Sequence, residues 1–137
     1  MTRQETTADN YRTLPQIPRA DVSLLWHCDY WDGPITGLLL WHGERLWFQM
    51  IDESGENEAA WYRRFLLIRL SEQQLRDETW WHELFRQHVG THNDYKRAED
   101  DPGTVRPGEQ WNSFYIPYSK RVPLDLSQNE VLGWFEM

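Results

Sequence analysis

One cysteine, no apolar run beyond about five residues and no basic run beyond two set the first limits on this chain. Cys28 cannot form a disulfide within the chain, which points to a reducing compartment, the cytoplasm, over a secreted scaffold. A membrane-spanning helix needs ~20 consecutive apolar residues, so none is expected. The opening MTRQETTADN lacks the apolar core of a signal peptide. Positive charge is also scarce: 14 Lys+Arg stand against 22 Asp+Glu, a formal net charge of −8. The basic pairs Arg63-Arg64, Lys96-Arg97 and Lys120-Arg121 are isolated, whereas a phosphate backbone calls for a basic footprint. Nucleic acid is therefore not an expected partner.

Chemistry-bearing motifs are missing as well. The chain holds no CxxC, GxGxxG, GxxxxGK[ST] or GxSxG, and His82-Glu83 is followed by Leu-Phe-Arg, which breaks the zincin pattern. His88 and His92 are four apart, but Gly90 between them should end a helix and spoil a shared face. Neither cofactor nor metal is expected. Cys28 next to His27 has the look of a nucleophile and its base, yet adjacent strand residues point to opposite faces. A thiol in an apolar setting is also unreactive.

Aromatics are what the chain has in abundance: 15% of residues, with nine tryptophans. Each buried ring removes about 150–250 Å² from water, so a few would supply much of a core. Period-two patterning begins at Val22, where Val22, Leu24, Trp26, Cys28 and Tyr30 share one expected core face. Asp32-Gly33-Pro34 breaks this strand, and a second runs from Leu38 to His42. A two-residue turn at Gly43-Glu44 leads to a third strand, Arg45 to Ile51, with Leu46, Phe48 and Met50 facing inward. The acidic turn 52–58 precedes a fourth strand, Trp61 to Leu70, with Tyr62, Leu66, Ile68 and Leu70 on the core side. Ser71 and Gln74 form a capping box for a helix reaching Val89, with Gly90 as its left-handed terminator. Leu75, Trp81, Leu84, Phe85 and His88 or Val89 fall on its apolar side. Residues 91–110 read as a long loop, 111–118 as a short helical turn or edge segment, and 129–137 as a last strand.

The expected fold is α+β: an antiparallel meander of about five strands with one main helix, about 72–89, packed on one face. Residues 1–20 form an extended arm and residues 21–137 a single domain. Opposite the core face lie Leu25, His27, Trp31, Leu39, Trp41, Trp47, Gln49, Trp61, Phe65 and Leu67, too apolar a set for a face open to water. The arm, the 91–118 region, a second copy of the chain or a foreign partner would have to cover it.

Two functional readings follow. In the first, the chain is a small protein-binding module of inhibitor, immunity or adaptor type, acting through an acidic, Trp-rich surface. Asp52, Glu53, Glu56 and Glu58 would steer a partner with a basic surface, and Trp31, Trp47 and Trp61 would anchor it. In the second, a small enzyme or small-molecule binder uses a pocket where the helix C-terminus meets the end of the first strand. Asp29, Asp32, His92 and Asp94 would supply its acid–base groups. Ordinary turn chemistry already accounts for each of those four singly. The pair Asp32 and His92 could share a proton only within hydrogen-bond reach.

Overall fold

The computed structural model describes residues 10–30, 34–54, 61–89 and 108–137. Five strands form one sheet in chain order: β1 (Val22–Tyr30), β2 (Pro34–Trp41), β3 (Glu44–Glu53), β4 (Arg63–Ile68) and β5 (Val131–Glu136). Every neighbouring pair is antiparallel. Two helices lie between β4 and β5 in the sequence: α1 (Glu72–His88) and α2 (Gly108–Lys120). The α+β meander and the main helix are thus where the periodicity puts them. Residues 111–118, read as a short turn or edge segment, belong instead to the 13-residue α2, with Pro117 inside it. Trp111, Phe114 and Tyr118 recur at helical spacing there, and tertiary packing of that stripe outweighs the cost of the proline.

Turn chemistry sets the register. Trp41 pairs with Glu44, so the β2–β3 turn is His42-Gly43, one residue earlier than Gly43-Glu44. Both turn residues have positive φ, 50° and 78°, as a type I′ hairpin requires. Moving a two-residue turn by one position shifts the pairing by two, from Leu39↔Phe48 to Leu39↔Leu46, so it keeps each residue on its face. Leu39 pairs with Leu46, Phe48 with Leu67 and Phe65 with Phe135. Leu39, Phe65 and Leu67 therefore share the face of Leu46 and Phe48, not the opposite one expected for them. In β1, Leu25 is a bulge between Leu24↔Leu39 and Trp26↔Leu38, which moves Trp26 off the Leu24 face. Gly37 permits this crossing, since a Cβ there would sit 2.2 Å from the Trp26 carbonyl oxygen.

The core of the sheet unit gathers Val22, Leu39, Leu46, Phe48, Phe65, Leu67 and Phe135 with Ile17. The Phe65 and Phe135 rings stack at 5.2 Å, and Phe48 meets Phe65 edge-on at 5.6 Å. Each such side chain contributes about 1.5–3 kcal/mol on burial, before any ring–ring term. On the other face Leu38, Trp47 and Ile68 align across β2, β3 and β4, and all three are buried. Both faces are thus covered at these positions.

Part of that cover is the segment leading into β1. Tyr11, fully buried, meets Trp134 edge-on at 5.1 Å. Gln16 forms a parallel bridge with Trp134: the Ile17 amide donates to the Trp134 carbonyl at 2.7 Å, and the Trp134 amide to the Pro15 carbonyl at 3.0 Å. From Asn10 on, then, the expected arm lies along the sheet. It occupies the free edge of β5, yet continues directly into β1 at the far edge. Five residue steps from Ile17 to Val22 reach about 17 Å at most. In a flat sheet the same two positions would stand about 24 Å apart. The sheet must therefore curl, and Ile17 and Val22 meet in one core cluster.

The helical unit is built by itself. Phe85 of α1 meets Phe114 of α2 at 5.4 Å, and Trp81 meets Tyr118 at 5.3 Å. The apolar stripe expected on α1 is thus packed by α2, with Phe85, Val89 and Phe114 buried between them. The same stripe carries Glu78, only 6% exposed. Burial pushes its carboxyl up, Arg121 pulls it back by a smaller amount, and Asp77 adds a further upward push. Where this unit leaves and rejoins the sheet, the Arg69 amide donates to the Glu130 carbonyl at 2.9 Å.

Candidate functional site

The acidic turn that the sequence singles out lies at the β3–β4 connection, and the structure describes its base. A bulge at Ile51 brings Asp52 opposite Arg64 and Glu53 opposite Arg63. The Ser54 amide donates to the Tyr62 carbonyl at 2.9 Å, and the Tyr62 amide to Ser54 Oγ at 3.0 Å. These two bonds pin the neck of the hairpin. Trp61 stands at that neck and is 62% exposed, the largest exposure of any described aromatic.

Below it, two arginines organise the base. Arg63 is 4% exposed; its Nε donates to Glu53 Oε2 at 3.3 Å and its Nη1 to the Pro34 carbonyl at 3.3 Å. Its guanidinium carbon lies 5.0 Å from the centre of the Trp61 ring. Cation–π attraction of this kind gives an exposed indole a preferred seat. Arg64 sits 4.1 Å over the Tyr62 ring, with Trp134 at 5.4 Å and Tyr11 at 5.9 Å. Its Nη1 donates to the Tyr11 hydroxyl at 2.6 Å and its Nε to Glu136 Oε1 at 2.9 Å. The Tyr11 hydroxyl in turn donates to Asp52 Oδ2 at 3.0 Å. These bonds, the Tyr11 contact foremost, hold Arg64 even further above its ordinary range.

The expected residues fare differently. Trp61 and Glu53 are exposed at the hairpin neck. Asp52 is half-buried and committed to Tyr11 and Arg64, so it acts as a fastener more than a free charge. Trp47, expected as an anchor, is 3% exposed and belongs to the interior. The reason is its register: Trp47 lies between Leu38 and Ile68, both buried, in the middle of the sheet. Trp31, Glu56 and Glu58 lie outside the described residues. So do Asp32, His92 and Asp94 of the acid–base set; Asp29 is placed in β1, opposite Thr36. Among the described residues no three His, Cys, Asp or Glu side chains gather as a metal-binding group. No described helix is long and apolar enough to cross a membrane.

Sequence reasoning missed Tyr11, Arg64, Trp134 and Glu136, the aromatic and ionic cluster behind the hairpin neck. Its members come from three distant segments, and only the adjacency of Arg63 and Arg64 to an acidic turn hinted at it. Glu78 was also missed, although its spacing to Phe85 and Val89 puts it on the apolar stripe of α1. Compared with protein-family models, curated proteins and solved structures, the chain matches none of them.

Proposed function

We propose that this chain is a small protein-binding module that engages a basic surface through the neck and acidic turn of the β3–β4 hairpin. The observation that supports this reading is Trp61: a 62% exposed indole seated against the buried Arg63 guanidinium. A large, rigid ring held in place loses little conformational freedom when a partner covers it, which is why tryptophan and arginine recur at binding hot spots. Because Asp52 and Glu53 already have arginine partners, long-range steering would fall chiefly to Glu56 and Glu58.

The test is capture of a tagged chain's partner from the lysate of its own host at low and high salt, compared across variants. The expected result is a stoichiometric partner that is weakened by salt. Trp61→Ala should weaken it about 30-fold, the loss of a hot spot of ~2 kcal/mol. Glu56→Lys with Glu58→Lys should slow association and remove most of the salt dependence. A partner held equally by the wild-type and Trp61→Ala chains, or no partner at either salt, overturns the proposal.

A further inference from the structure

We propose that the N-terminal segment exchanges between two copies of the chain, each Tyr11-to-Ile17 stretch docking on the β5 edge of the other. The docking site is built for this segment. A Cβ on Gly133 would lie 2.6 Å from the Pro15 carbonyl oxygen and 2.8 Å from Ile17 Cδ1, and its three nearest neighbours all belong to the segment. The bare glycine in the middle of β5 is thus explained by the segment that crosses it. Further along, Tyr11 fills a pocket made by Trp134, Arg64 and Asp52. Between these anchors the parallel bridge at Gln16 supplies the two backbone hydrogen bonds.

The connection argues that this segment can come from a second copy. Only Pro18 to Asp21 separate Ile17 from β1, and three of those four residues are wound into a 3-10 turn. That short link must carry the chain from one edge of the sheet to the other. Short hinges joining an exchangeable element to its domain are the ones that favour swapping, because opening the hinge keeps every docking contact while removing the constraint. The contacts at Tyr11, Gln16 and Ile17 are the same whichever copy supplies them. The balance is then set by hinge length and by protein concentration. This inference does not rest on the hairpin reading: Tyr11 docks on Asp52 and Arg64 at the base of the hairpin, but no docking contact involves Trp61.

The experiment is light scattering after size exclusion, on full-length protein refolded from urea at ~5 to ~500 µM, where mass action separates a weak dimer from a monomer. The wild type should form a dimer whose fraction rises with refolding concentration. Lengthening the hinge with a Gly-Gly-Ser insertion after Pro18 should weaken that dimer at least tenfold. Tyr11→Ala, which weakens the segment, and Gly133→Ala, which blocks the groove, should each be monomeric alone. Refolded together they should regain dimer, because the intact segment of one variant meets the open groove of the other. A wild type that stays monomeric throughout overturns the proposal. So does a dimer that Gly133→Ala or the longer hinge leaves unchanged, or a variant mixture no more dimeric than its components. Should Gly133→Ala fail to fold, the hinge insertion decides, since it touches no docking contact.

Discussion

Tyr11 ties together three segments with one hydroxyl, accepting from Arg64 at 2.6 Å and donating to Asp52 at 3.0 Å. Replacing it with Phe keeps the ring against Trp134 but strands a guanidinium N–H and a carboxylate oxygen. Bonds to charged groups are worth about 1.5–3 kcal/mol, so Tyr11→Phe should lower unfolding stability by that amount in urea titrations. An unchanged midpoint would mean water replaces the hydroxyl without loss. Glu78 makes a prediction of the other kind. Its carboxyl is raised in the folded chain, so between the unfolded and folded values the native state holds the extra proton. Stability from this group is complete below the unfolded value of about 4.3 and declines as pH rises through the folded value. Glu78→Gln should therefore flatten the fall in Tm on the alkaline side, matching the wild type near pH ~4 and exceeding it near pH ~8. Parallel Tm–pH curves would refute it. Glu44 runs opposite: its hydrogen bond to Arg69 lowers its carboxyl, so its contribution is present above the unfolded value and lost on acidification. None of these pairings was legible beforehand, because Tyr11 and Arg64 lie 53 positions apart and periodicity reports only on near neighbours.

Elements were more legible than residues, and the reason is local. Alternation and 3.6-residue spacing are written within a few positions, so five strands and α1 could be placed before any contact was known. Faces were a different matter. The bulge at Leu25 inverts the alternating pattern within β1, and no propensity signals it. The second helix was legible only as a short helical turn or edge segment over 111–118, because the aromatic stripe that holds it finds its partner on α1. That packing yields the element-scale prediction. Phe114 is 5% exposed and touches Trp81, Phe85 and Tyr118. Phe114→Ala should leave a cavity costing about 3–5 kcal/mol, and amide exchange within both helices should accelerate accordingly. Helices that keep wild-type protection would show that they do not depend on this contact.

For the whole molecule, composition pointed to the acidic turn, and the neck of that turn does carry the most exposed described indole. It could not reveal that Arg63 and Arg64 compensate two of the turn's carboxylates, since pairing depends on a register that only the folded sheet fixes. The insertion of the helical unit between β4 and β5 has a consequence in time. Roughly sixty residues separate the two strands, and at ~5–20 residues per second a ribosome takes several seconds to make them. Through that interval the nascent chain holds the inner edge of β4, with Phe65 and Leu67, without its neighbour. The N-terminal segment likewise has no β5 to rest on. Translation speed across 69–130, as much as any contact in the finished protein, sets how long a sticky half-sheet is on offer to chaperones or to its own kind.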